Sequence, residues 1–111
     1  MRVSEITREV VLDHLHENAD ILSETELSYI DSCKAAAVSY VKGWTGISGV
    51  DEPDEEGRKL DDYEDITFAV LAIISSMYDT RSMIVDKDKL NPMVTSVLNM
   101  HSFNLLPGAD T

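Results

Sequence analysis

The segment from Ile66 to Tyr78, ITFAVLAIISSMY, limits more than any other how this chain can fold. Wound as a helix it is apolar on nearly every face, which is typical of a helix buried on several sides. Its longest uninterrupted apolar run, from Phe68 to Ile74, is far shorter than the roughly 18 residues of a membrane span. We therefore expect other helices to cover this segment within one domain of 111 residues, and subunit contacts could supply some of the burial.

Two helices are predicted in the first half of the chain. Thr7 is a candidate N-cap for a short helix over residues 8–17. Ser23 and Glu26 form an S-x-x-E capping box at the start of the second helix, over residues 24–42. Apolar residues recur at helical spacing along that second helix, and a helix is therefore the clear prediction there.

A loop rich in carboxylates follows the second helix. Residues 51–65 contain nine acidic side chains against two basic ones, Arg58 and Lys59, which leaves a local charge of −7. Gly49, Pro53 and Gly57 interrupt any helical periodicity here. The sequence therefore predicts a long acidic loop.

Two more helices are predicted in the second half. Asp61 or Asp62 is a candidate cap for the third, over residues 62–82. Asn91 followed by Pro92 starts the fourth, over residues 91–101. Residues 102–111 read as an extended C-terminal tail. The predicted fold class is therefore all-α, a small single-domain bundle of about four helices with a long acidic loop between helices 2 and 3.

The net charge of −12 argues against several kinds of partner. A grip on nucleic-acid phosphates needs clustered Lys and Arg, and an anionic membrane would repel this chain. The first residues, MRVSEITREV, contain acidic side chains and no apolar core of the kind found in secretory signals. A single cysteine, Cys33, cannot form an internal disulfide, which fits a reducing compartment.

No motif for catalysis or cofactor binding is recognisable. The chain has none of the glycine-rich phosphate-binding or nucleophile-elbow patterns. His14 and His16 point to different sides of a helix, and with His101 they match no zinc spacing. The acidic loop does not follow the EF-hand pattern. Because Cys33 lies on the apolar stripe of helix 2, we interpret it as a core thiol. We expect no catalytic residue, no metal and no cofactor, and thus no enzyme.

Four stretches of the sequence together resemble one known family. They are VSEITREVVLDHL, LSYIDSCKAAAVSYVKGWTG, DITFAVLAIISSMYDTR and NPMVTSVLNMHSFNLL. Their order and spacing resemble those of the head–tail connectors of tailed phages, also called head-completion adaptors or DNA-packaging proteins. The resemblance covers residues 3–106, and the positions that match the family's motif are Tyr40, Thr45, Gly46, Tyr78 and Arg81.

The resemblance implies a structural role in the phage neck. A connector of this family forms a ring of about a dozen copies on the portal protein. DNA passes through the ring without specific binding, and the tail or the next neck protein binds below. The implied location is the virion neck, with assembly in the host cytoplasm, and no membrane is involved.

The sequence leads to hypotheses for two contact surfaces, one between subunits and one with the portal. Adjacent subunits would meet through patches of opposite charge, namely Asp51, Asp54 and Glu55 against Arg81, Lys87 and Lys89. The portal would bind apolar side chains of the tail, namely Phe103, Leu105 and Leu106. The alternative is that Leu105 and Leu106 cover the base of their own domain.

Two other functions compete with the connector. An acidic inhibitor that mimics DNA would explain the charge, but it would need carboxylates along a whole face rather than in one loop. A small enzyme could use Tyr78, Arg81 and a histidine, but a Tyr–Arg pair at this spacing usually packs and bonds on a helix surface.

Overall fold

The computed structural model describes residues 1–82, 85 and 90–103. In this part of the chain it contains four α-helices and no strand, which confirms the all-α prediction. The helices are α1 (Arg8–Leu15), α2 (Glu24–Thr45), α3 (Glu64–Thr80) and α4 (Pro92–Met100). None of the described helices combines the length and the apolar character that crossing a lipid bilayer requires.

Three of the helix starts have the predicted caps. Thr7, Ser23 and Asn91 each accept a hydrogen bond from a backbone N–H group in the first turn of α1, α2 and α4, respectively. Such a bond satisfies one of the N–H groups that a helix leaves without a partner at its start. Pro92 takes the first position of α4, where the missing N–H of proline has no consequence.

The second half of the predicted capping box is wrong. Ser23 accepts the expected bond from the N–H of Glu26, but the carboxylate of Glu26 pairs with Arg81 instead of turning back to Ser23. A guanidinium ion offers a carboxylate a stronger, charge-assisted partner than a neutral N–H group does.

The predicted cap of α3 is also wrong. The helix begins at Glu64, two residues later than expected, and Tyr63 precedes it without a side-chain cap. Asp61 is buried and accepts bonds from the N–H and hydroxyl groups of Ser4, at 2.9 and 2.5 Å. Its carboxylate is therefore committed to the N-terminal segment.

Left-handed residues end the first three helices. His16 follows α1 with φ 59°, Gly46 follows α2 with φ 77°, and Arg81 follows α3 with φ 55°. α2 extends to Thr45, three residues beyond its predicted end, so that only Gly46 stops it.

α3 lies at the centre of the bundle and contacts α1, α2 and α4. The burial on several sides that its composition predicts is present: six of its apolar side chains are at most 2% exposed. They are Ile66, Ala69, Val70, Ile73, Ile74 and Met77. Cys33 lies on the face of α2 that packs into this core and is fully buried, as expected of a core thiol.

Candidate assembly surfaces

The end of α2 is built by the motif residues Thr45 and Gly46. Thr45 is fully buried; its hydroxyl donates to the carbonyl of Val41 at 2.8 Å and accepts from the N–H of Ile47 at 3.2 Å. Gly46 takes the left-handed conformation that turns the chain out of the helix. The pair fixes where α2 stops and where the acidic loop begins.

The motif residue Tyr40 supports the contact between α2 and α4. Its ring packs edge to face against Trp44, with the ring centroids 5.8 Å apart. The indole N–H of Trp44 donates to the side-chain oxygen of Asn99 at 2.9 Å. An aromatic pair on α2 is thereby tied to the last turn of α4.

The motif residues Tyr78 and Arg81 join the end of α3 to the start of α2. The guanidinium carbon of Arg81 lies 4.5 Å from the ring centroid of Tyr78 and 5.3 Å from that of Tyr29. The guanidinium also pairs with the carboxylate of Glu26, and this bond raises the pKa of Arg81. Arg81 therefore has its partners within the chain, stacked on two rings as cation–π contacts require.

The acidic loop is organised around Asp54. Its carboxylate accepts hydrogen bonds from the N–H groups of Ser48, Glu56 and Arg58, at 3.1, 2.9 and 2.9 Å. The bond from the Arg58 backbone is the largest of the effects that hold the pKa of Asp54 below its ordinary value. Bonds to the charged form favour that form.

Gly49 fixes the base of the same loop. It forms an isolated bridge with Lys59, and its carbonyl accepts from the N–H of Leu60 at 2.8 Å. A Cβ atom at this position would overlap the carbonyl oxygen of Glu52 and would lie 2.7 Å from that of Arg58. Only glycine leaves room for so close an approach of two backbone segments.

The hypothesis of oppositely charged subunit patches is changed by these contacts. Asp54 and Arg81 already have partners within the chain, whereas Asp51 and Glu55 are exposed. Lys87 and Lys89 lie outside the described residues. The hypothesis therefore has to depend on the exposed carboxylates and on these two lysines.

The start of the tail folds back onto the end of α2. The N–H of Phe103 donates to the carbonyl of Thr45 at 2.7 Å, and the hydroxyl of Ser102 donates to that of Trp44 at 3.2 Å. The guanidinium carbon of Arg58 lies 4.2 Å from the centroid of the half-buried Phe103 ring. Phe103 is thus a packing residue of the domain. Leu105 and Leu106, its companions in the portal hypothesis, lie outside the described residues.

His101 joins the end of α4 to the start of α3. Its Nε2 atom lies 2.9 and 2.8 Å from the two carboxylate oxygens of Asp65, and its ring centroid lies 4.4 Å from that of Tyr63. Among residues 1–82, 85 and 90–103, no three His, Cys, Asp or Glu side chains converge on a point where a metal ion could bind.

An open groove of about 340 Å³ runs along α3 between α1 and α4. The buried side chains of Leu90 and Val94 line it, as does Phe68, which is 46% exposed. Uncharged residues of α3 line it as well, including Ala72, Ser75 and Ser76. Within residues 1–82, 85 and 90–103, no carboxylate contributes to the lining.

Sequence reasoning missed the contacts that link distant parts of the chain. Ser4 and Asp61 are 57 positions apart, and Asp65 and His101 are 36 apart. Neither pair follows a local motif, so only the fold could reveal them.

No protein-family model, curated protein or solved structure matches this chain. The likeness to phage connectors therefore depends on the four stretches of sequence quoted above. The structure adds the positions that the residues of those stretches take in the fold.

Proposed function

We propose that this chain is a structural subunit of a phage neck. In this proposal it forms a ring that joins the portal of the DNA-filled head to the tail or the next neck protein. The main observation behind it is where the motif residues lie. Thr45 and Gly46 end α2, and Tyr78 and Arg81 link the end of α3 to the start of α2.

These positions suit a structural protein, whose function depends on a fixed arrangement of its helices. α2 and α3 run in opposite directions, and the motif residues are found at both ends of that pair. A ring closes only when every copy presents the same two surfaces at the same angle. Residues that fix the ends of the two longest helices would keep that angle constant.

The charge of the chain supports passage of DNA without binding. A net charge of −12 repels phosphates, and a channel that bound them would hold the genome back. The exposed carboxylates of the acidic loop, such as Asp51 and Glu55, contribute to this repulsion.

Apart from the net charge, no observation on the described residues favours the DNA-mimic alternative. A mimic needs carboxylates exposed at regular spacing, but Asp54 and Asp61 accept hydrogen bonds within the chain. Asp31 and Asp65 are paired with Arg8 and His101.

Electron microscopy tests the proposal directly. The protein is examined in negative stain at high concentration, alone and after co-expression with the portal protein of the same genome. Rings with an open centre, free or seated on the portal, are the expected result. Sedimentation as a monomer at every concentration, together with failure to bind the portal, would contradict it.

A further inference from the structure

The groove between α1, α3 and α4 is a largely apolar surface on a strongly acidic chain, with the polar side chains of His14, Ser75, Ser76 and Asn91 also in its lining. Phe68 exposes 46% of its area there, although six other apolar side chains of α3 are at most 2% exposed. Among the described residues no carboxylate lines the groove, whereas the whole chain carries a net charge of −12. An apolar segment that covered the groove would remove the exposed part of Phe68 from water.

We propose that this groove binds residues 104–108 of a second copy of the chain. The inference depends on the proposed ring, in which each subunit meets its neighbour through two different surfaces. The groove would be one of these surfaces, and the segment that follows Phe103 would be the other. Leu105 and Leu106, which the sequence analysis proposes as portal-binding residues, would then join neighbouring subunits.

The chemistry of the segment matches that of the groove. Its sequence is NLLPG, which includes two leucines and no charged residue. Burial of Leu105 and Leu106 against Phe68 and Leu90 would remove apolar surface of both copies from water. An acidic segment would lose its hydration there, and no Lys or Arg of the described residues lines the groove to compensate.

The length of α4 separates the far end of the groove from the tail of the same chain. Ser75 and Ser76 line the groove near Asn91, at the start of α4, whereas Phe103 lies past its other end. Nine helical residues span about 13.5 Å. Leu105 and Leu106 extend at most about 7 and 10 Å from Phe103. They cannot reach the Ser76 end of their own groove, but those of a neighbouring copy can.

Mixed disulfides between two single-cysteine variants test this contact. Ser76→Cys places a thiol at the far end of the groove, and Leu105→Cys places one on the segment. The native Cys33 is fully buried and stays out of reach of the oxidant. The variants are mixed in equal amounts, with and without the portal protein, oxidised with glutathione disulfide and separated on non-reducing gels.

We expect the mixed dimer to form several-fold more than with a matched control. The control is Ser32→Cys, an exposed position of α2, which does not line the groove, mixed with Leu105→Cys. Equal yields from both pairings, with and without the portal, would overturn the proposal. So would a monomeric internal disulfide in the double variant Ser76→Cys/Leu105→Cys, or cross-linking of Leu105→Cys to the portal alone.

The outcomes separate this inference from the proposed function. Rings in the microscope without the mixed disulfide would support the connector proposal and contradict the groove contact. Formation of the mixed disulfide in open chains that neither close nor bind the portal would support the groove contact and contradict the connector proposal.

Discussion

Asp61 is the residue with the clearest structural role that sequence reasoning misassigned. Asp61→Ala removes the acceptor of two hydrogen bonds from Ser4, so the free energy of unfolding should fall by about 1–3 kcal/mol. Urea denaturation measures it. The matched control is Asp62→Ala, at an exposed position 3.9 Å from the Lys59 amine, which should change stability by less than about 0.5 kcal/mol. Equal losses would contradict the assigned role.

Asp54 should make stability depend on pH. Because its pKa is lowered in the folded state, its contribution is present above the unfolded-state pKa and is lost as pH falls through the folded-state value. The melting temperature of the wild type should therefore fall when the pH is lowered past about 4. In Asp54→Asn the melting temperature should fall less steeply with pH. Circular dichroism at stepwise lower pH measures the effect. Asp51→Asn, at an exposed position of the same loop, should keep the wild-type slope; a flattened slope there would refute the explanation.

The starts of the helices are predictable where the cap is local. Ser23 and the N–H group that it binds are three positions apart. Ser23→Ala should lower the unfolding free energy by about 1 kcal/mol, because α2 loses its cap. Ser28→Ala, at an exposed interior position of the same helix, should be neutral or stabilising by up to about 0.5 kcal/mol. Thermal unfolding of both variants decides, and equal effects would show that the cap has no role.

Helix ends that depend on distant residues could not be predicted. α3 was placed correctly by its apolar composition, but its start was wrong because Asp61 bonds Ser4. α2 ends three residues later than predicted, where the carbonyls of Trp44 and Thr45 accept bonds from the distant Ser102 and Phe103. Composition and spacing show which helices exist, whereas tertiary contacts decide their last turn.

At the scale of the whole molecule, the charge gives a prediction about DNA. A net charge of −12 repels the phosphates of DNA, so the protein should not retard duplex DNA at physiological salt. A gel-shift assay at micromolar protein checks this, with a basic DNA-binding protein as the positive control. A retarded band would contradict the proposed passage of DNA without binding, and also the inference from net charge that supports it.

The surfaces were harder to predict than the bundle. The groove takes His14, Phe68 and Leu90 from three parts of the chain, and nothing in their local sequence marks them as neighbours. Phe103 was predicted to reach outward, but it packs near Thr45 because the end of α2 offers a carbonyl acceptor there. The connector itself stays a prediction until rings are sought.

The close approach at Gly49 has a consequence for how this sequence can diverge. Substitutions at Asp51 or Glu55 alter only exposed side chains, so the loop can lose or gain carboxylates with little penalty. Any side chain at position 49 would collide with the backbone carbonyl groups of Glu52 and Arg58. A saturation library selected for folded protein should therefore return glycine alone at position 49 and nearly every residue at position 55. Alanine enriched equally at both positions would mean that the two backbone segments lie farther apart.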